Sequence, residues 1–239
     1  MNRKIGVFDS GIGGKTTLNE IRKILPNEDY IYYADSKNNP YGEKNDFELN
    51  RIVSGIVEYF ISEDVKMIVI ACNTATTRCI EYLRNKYPNM IFVGTEPAVK
   101  VACDNQYKNT LVMATPLTIN SPRLASLVNE NIRDDESVTL LPCEGLASAI
   151  ENEDEKEIDN ILNKLLTYYI NKDINAIVLG CTHYPIIKDK IQDYFKNAVI
   201  IDGNIGVAKR VKELLELNNL LTDRDFEGNV LYIQTKKED

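Results

Sequence analysis

The chain spells one local pattern twice. Residues 64–77 read DVKMIVIACNTATT and residues 173–186 read DINAIVLGCTHYPI. Each is an apolar run, a small residue, a cysteine, and then small polar residues placed to open a helix. The two cysteines, Cys72 and Cys181, lie 109 positions apart. A second pair of segments keeps nearly the same offset. RKIGVFDSGIGGKTTLNEI near the start resembles KNTLVMATPLTINSPRLASL from Lys108, with Asp9 and Thr115 separated by 106 positions. Matching offsets in the same order imply two homologous halves facing one another.

Each half is written in one alphabet. Residues 4–8, 30–33, 65–71, 90–94, 110–113, 138–141, 176–180 and 198–201 are short, β-branched strand runs. Residues 16–25, 47–62, 76–87 and 158–170 carry helical spacing. Strands apolar on both faces, alternating with helices, predict parallel sheets covered on both sides, the α/β class. The expected division is residues 1–97 plus 207–239 for the first domain and 98–206 for the second. A helix at 205–217 and a strand at 229–234 would fold back onto the first domain.

Composition narrows the partners. A formal charge of −8 argues against nucleic acid, because phosphate binding needs concentrated positive charge. No apolar run approaches the roughly 20 residues of a membrane helix, and the start of the chain lacks signal-peptide character. Five cysteines without a C-x-x-C pair do not form a disulfide framework, so a reducing cytoplasm is expected. Only the last four residues, 236–239, read as a disordered polar ending.

In an open parallel sheet, ligands bind beyond the carboxyl ends of the strands. Cys72 and Cys181 both fall there, ahead of a helix whose free N–H groups and dipole favour a thiolate. One thiol on each side of a tetrahedral carbon is what inversion requires: one removes a proton and the other delivers one to the opposite face. The competing view is that cysteines are small buried hydrophobes. That view is kept for Cys79, Cys103 and Cys143, which lack the duplicated context. A zinc site would need a second ligand pair beside the C-x-H of Cys181 and His183, and none is nearby. His183 serves as a partner in thiol proton traffic or, equally on spacing alone, as a structural residue. Asp9 should lie beside the Cys72 strand end, where it orients substrate, assists the thiol, or caps the next helix. Gly11, Gly13 and Gly14 form a turn that offers N–H groups to a carboxylate, but G-x-G-x-x-G is not met.

FDSGIGG, NPYG, ACNTATT and GCTHYP, in that order, resemble the glutamate racemases of the aspartate/glutamate racemase superfamily, from Ile5 to about Gly206. The resemblance implies two α/β domains related by a pseudo-twofold axis, an active site between them, and neither pyridoxal phosphate nor metal. It also implies that Cys72 takes the α-proton of D-glutamate and Cys181 that of L-glutamate. By the same resemblance Asp9 and His183 support the thiols, with Glu151, at the end of GLASAIE, on the Cys181 side. Implied substrate contacts are Asp9, Ser10, Tyr41, Gly42, Asn73, Thr74, Thr118, Thr182 and His183. It further implies a small-molecule substrate, a role in peptidoglycan synthesis, and a homodimer as the usual state. The chain departs from the family at DSKNNPYG, where members commonly read D-T-x-R-x-P-Y-G. Glu151 also fits a solvated helix start in the acidic run ENEDEKE. Aspartate racemisation, a single-cysteine lyase and a two-lobed amino-acid-binding protein are the competing functions.

Overall fold

The computed structural model describes residues 3–236. The polar ending expected at 236–239 lies, beyond Lys236, outside the described residues. The chain divides into two compact units. One holds the residues up to Thr95 and those from Asn204 onward, and the other is Glu96–Gly203.

The first unit begins with strands β1 (Ile5–Asp9), β2 (Tyr30–Ala34), β3 (Met67–Ile70) and β4 (Phe92–Gly94). Between them run helices α1 (Lys15–Ile24), α2 (Asp46–Ser62) and α3 (Asn73–Lys86). The second unit contains α4 (Val99–Asp104), β5 (Asn109–Ala114), α5 (Pro116–Ile119), α6 (Pro122–Asn131) and β6 (Ser137–Pro142). It continues with α7 (Leu146–Glu151), α8 (Glu155–Leu166), β7 (Ala176–Leu179), α9 (Lys188–Tyr194) and β8 (Val199–Asp202). The chain then returns to the first unit with α10 (Asn204–Leu217) and β9 (Val230–Gln234).

The sheets have orders β4-β3-β1-β2-β9 and β6-β5-β7-β8. Read from the other edge, β8-β7-β5-β6 reproduces β4-β3-β1-β2 strand for strand, so the repeat in the sequence is a repeat of topology. Every pairing is parallel, including β2 with β9. Alternation along the strands supplies both faces. In β1 and β3, Ile5, Val7, Met67 and Val69 join α1 and α10 in one core layer. Phe8, Ile68 and Ile70 join α2 and α3 in the other. In the second unit Leu111, Met113, Ile177 and Leu179 face α7–α9, and Val112 and Val178 face α4 and α6. These strands are covered on both sides and cannot read as alternating.

Local signals missed the shorter elements. α4, α5 and α7 run four to six residues, too short to show a period. The helix expected at 158–170 ends at Leu166 and tightens into a 3₁₀ turn at Thr167–Tyr169.

One buried ion pair fastens the returning segment. Lys66 Nζ reaches Glu28 Oε2 at 2.6 Å and also donates to the Leu220 carbonyl at 2.7 Å, while Glu28 Oε1 accepts the Thr222 N–H. The two side chains are 4% and 2% exposed, so deleting one partner strands the other charge away from water. Lys66→Ala is expected to lower the unfolding free energy by about 3–5 kcal/mol, read from the urea midpoint at an unchanged m-value.

Candidate active site

In each unit the expected residues gather at the carboxyl ends of strands. β1 pairs with β3, Phe8 opposite Ile70, and the Ala71 N–H donates to the Phe8 carbonyl. That register sets Asp9 and Ser10 beside Cys72, as the spacing predicts. Cys72 is the N-cap of α3, where its sulfur accepts the Ala75 N–H at 3.5 Å. Its thiol also approaches Ser10 Oγ at 3.8 Å. An N–H donor and the positive end of a 14-residue helix both favour a thiolate there. Asn73 and Thr74 follow in the first turn, both buried. Asn73 Oδ1 is buried without a hydrogen-bond partner among the described residues.

Asp9 is completely buried, and its Oδ2 accepts the N–H of Gly14 at 2.9 Å and of Gly11 at 3.3 Å. The carboxylate to which the glycine turn offers these two N–H groups is thus that of Asp9. Gly14 has to be glycine for this. A Cβ there would stand 2.6 Å from Asp9 Cβ and 3.0 Å from Ala71 Cβ.

After β2 the chain turns through Asp35 to Tyr41 and Gly42. Tyr41 is buried in the core layer that includes Cys72, and Gly42 is half-buried. The Tyr41 hydroxyl donates to Asp35 Oδ2 at 2.8 Å. Burial, then the neighbouring Asp35 carboxylate, hold this phenol well above the usual tyrosine range, so it remains a neutral donor.

The Cys181 half-site is built differently. Gly180 N–H donates to the Met113 carbonyl, placing Cys181 at the end of β7 beside β5. A Cβ on Gly180 would meet Ala114 Cβ at 2.9 Å and the Met113 carbonyl oxygen at 3.1 Å, so only glycine passes. No α-helix starts at Cys181. A 3₁₀ turn, Tyr184–Ile187, intervenes before α9, with Pro185 in its first turn. The expected helix dipole is therefore absent beside this thiol, and a side-chain relay stands in its place. Cys181 Sγ lies 3.8 Å from His183 Nδ1, and His183 Nε2 lies 2.7 Å from Glu151 Oε2. With Glu151 ionised, Nε2 carries the hydrogen and Nδ1 presents its lone pair to the thiol. Glu151 ends α7 and is partly buried, which corrects its reading as a solvated helix start. Thr182 and Thr118 are buried, and the Thr118 hydroxyl accepts from Thr115 Oγ1 at 3.0 Å.

The remaining thiols differ. Burial pushes Cys79 and Cys143 each up to about 12, and raises Cys103 with Glu136 adding to the effect. At neutral pH they are protonated, poor nucleophiles and poor bases. Asp35 was not singled out from the sequence, although an acidic residue directly after a strand was a usable signal. Among the described residues no cluster of His, Cys, Asp and Glu could hold a metal ion, and no helix is long and apolar enough to cross a membrane.

Residues 14–210 match the family model described as Asp/Glu/Hydantoin racemase. A glutamate racemase of Clostridium botulinum (strain Alaska E43 / Type E3) is 40% identical over 238 residues, 98% of this chain and 92% of that protein. The crystal structure of glutamate racemase from Francisella tularensis subsp. tularensis SCHU S4, in complex with D-glutamate, superposes with a TM-score of 0.82 at 32% identity. The match covers 99% of this chain and 89% of that one. The aspartate racemase of Picrophilus torridus shares the fold at a TM-score of 0.63 and 13% identity.

Proposed function

The chain belongs to the Asp/Glu/Hydantoin racemase family, and from that premise we propose that it interconverts L- and D-glutamate by proton transfer between two thiols. The observation that carries the mechanism is the duplicated strand–cysteine unit with two different escorts: a helix N-terminus and Ser10 at Cys72, and the His183–Glu151 relay at Cys181.

In the D-to-L direction the Cys72 thiolate takes the α-hydrogen as a proton, and the bonding electron pair stays on Cα. The Cys181 thiol then gives its proton to the opposite face, forming L-glutamate and leaving a thiolate at Cys181. The reverse reaction starts from that thiolate. Turnover from L to D leaves Cys181 protonated, and His183 Nδ1 then takes that proton to restore the thiolate while Glu151 stabilises the imidazolium formed. After D-to-L turnover the imidazolium returns the proton to the Cys181 thiolate. Asp9, with its charge held by two backbone N–H groups, balances the substrate ammonium. Asn73 Oδ1 accepts one ammonium hydrogen. The Tyr41–Gly42 turn, Ser10, Thr74, Thr118 and Thr182 complete the substrate contacts. The scheme uses only the chain's own side chains. Both thiols must stay reduced, which fits a cytoplasmic enzyme whose D-glutamate supplies peptidoglycan synthesis.

Circular dichroism of purified protein with L- or D-glutamate, without added cofactor, should decay to zero from either side. The two aspartates provide the control, because one methylene in a pocket is worth only about 1–3 kcal/mol. Faster turnover of aspartate than of glutamate would reassign the substrate, and stable ellipticity with tight binding would make this a binding protein.

A further inference from the structure

Asp35 is 2% exposed and belongs to none of the residues the reaction scheme uses. It follows β2 directly, and its N–H donates to the carbonyl of Asp9. Its carboxylate takes hydrogen bonds from the Tyr41 hydroxyl (2.8 Å), from Asn38 Nδ2 on both oxygens (3.0 and 2.9 Å), and from Thr235 Oγ1 (3.0 Å). Thr235 comes from the other end of the chain, just past β9. Its hydroxyl oxygen also accepts the Lys37 N–H at 2.9 Å, and its own N–H donates to the Ala34 carbonyl. The single Asn38 amide nitrogen bridges both oxygens of this carboxylate.

A buried carboxylate surrounded by fixed donors is a rigid acceptor. The Tyr41 proton points at it, which sets the ring. The ring in turn sets the short 3₁₀ turn Tyr41–Glu43, whose first N–H groups precede any intra-turn acceptor. We propose that Asp35 is a positioning residue for substrate binding: it holds the Tyr41–Gly42 turn in its binding geometry, and Thr235 at the end of the last strand holds Asp35. The proposal rests on the glutamate-racemase reading, in which Tyr41 and Gly42 touch substrate.

The test is steady-state racemisation of both glutamate enantiomers, with thermal unfolding recorded for each variant. Asp35→Ala is expected to raise KM about 10-fold with kcat changed less than about 3-fold, as for a lost hydrogen bond to a charged group. Thr235→Val should raise KM roughly 3-fold, and Thr235→Ser should restore it. Because Asp35 acts through Tyr41, Asp35→Ala combined with Tyr41→Phe should be no worse than the worse single variant. Should Asp35→Ala fail to fold, Thr235→Val, Thr235→Ser and Tyr41→Phe still decide the matter through KM. Unchanged KM with a lowered melting temperature, or full additivity with Tyr41→Phe, overturns the positioning role while leaving racemisation intact. An unmodified enzyme that does not turn over glutamate overturns both readings.

Discussion

Cys72→Ser and Cys181→Ser should each lower kcat for glutamate racemisation by about 10³-fold or more, equivalent to roughly 4 kcal/mol of lost transition-state stabilisation. A serine hydroxyl is far less acidic than a thiol, so it neither rests as a base at neutral pH nor gives up its proton readily. The structure separates this loss from misfolding at Cys72. Serine is a preferred N-cap, and its oxygen can accept the Ala75 N–H that the sulfur now takes. Exchange of the α-hydrogen in D2O distinguishes the two faces. Cys72→Ser should still exchange L-glutamate, through Cys181, and not D-glutamate; Cys181→Ser should show the opposite. Full racemisation in either variant would rule out a two-base reaction, and the reverse exchange pattern would invert the assignment of faces.

The second large effect is expected at His183. His183→Gln retains a polar group toward Glu151 but removes the nitrogen that takes the Cys181 proton, and a fall in kcat/KM of about 10²-fold is expected. The equilibrium constant between enantiomers is unity, so kcat/KM must fall equally in both directions, and the ratio of rates carries no information about side. Exchange does. L-Glutamate exchange should drop with racemisation while D-glutamate exchange at Cys72 persists. Glu151→Gln should act in the same sense and more weakly, about 10-fold, because an amide can still orient the ring at 2.7 Å but stabilises an imidazolium less. Equal loss of exchange from both enantiomers would show that the relay serves the whole fold and not the Cys181 face.

The two variants also show why the half-sites were not equally legible. Both cysteines were visible as strand-end residues because strand, small residue and cysteine are adjacent in the chain. At Cys72 the continuation is local as well: Asn73, Thr74 and Ala75 extend straight into α3, so the thiol and its N–H donor are set by consecutive residues. At Cys181 the same reading fails. The segment after Cys181 forms a 3₁₀ turn with Tyr184 buried, and the help comes from Glu151, 30 positions earlier, at the end of a six-residue helix too short to carry a period.

The alternation of short apolar runs with amphipathic segments, and their duplication, were enough to establish parallel α/β units and the two thiols at strand ends, because period and adjacency are properties of neighbouring residues. Tertiary packing decided which groups surround those thiols. Thr235 reaches Asp35 across 200 positions and Lys66 reaches Glu28 across 38. The Gly11 and Gly14 N–H groups turned to Asp9 and not outward. A buried charge or polar atom takes whichever partner the packed backbone brings within reach, and that partner can lie anywhere in the chain.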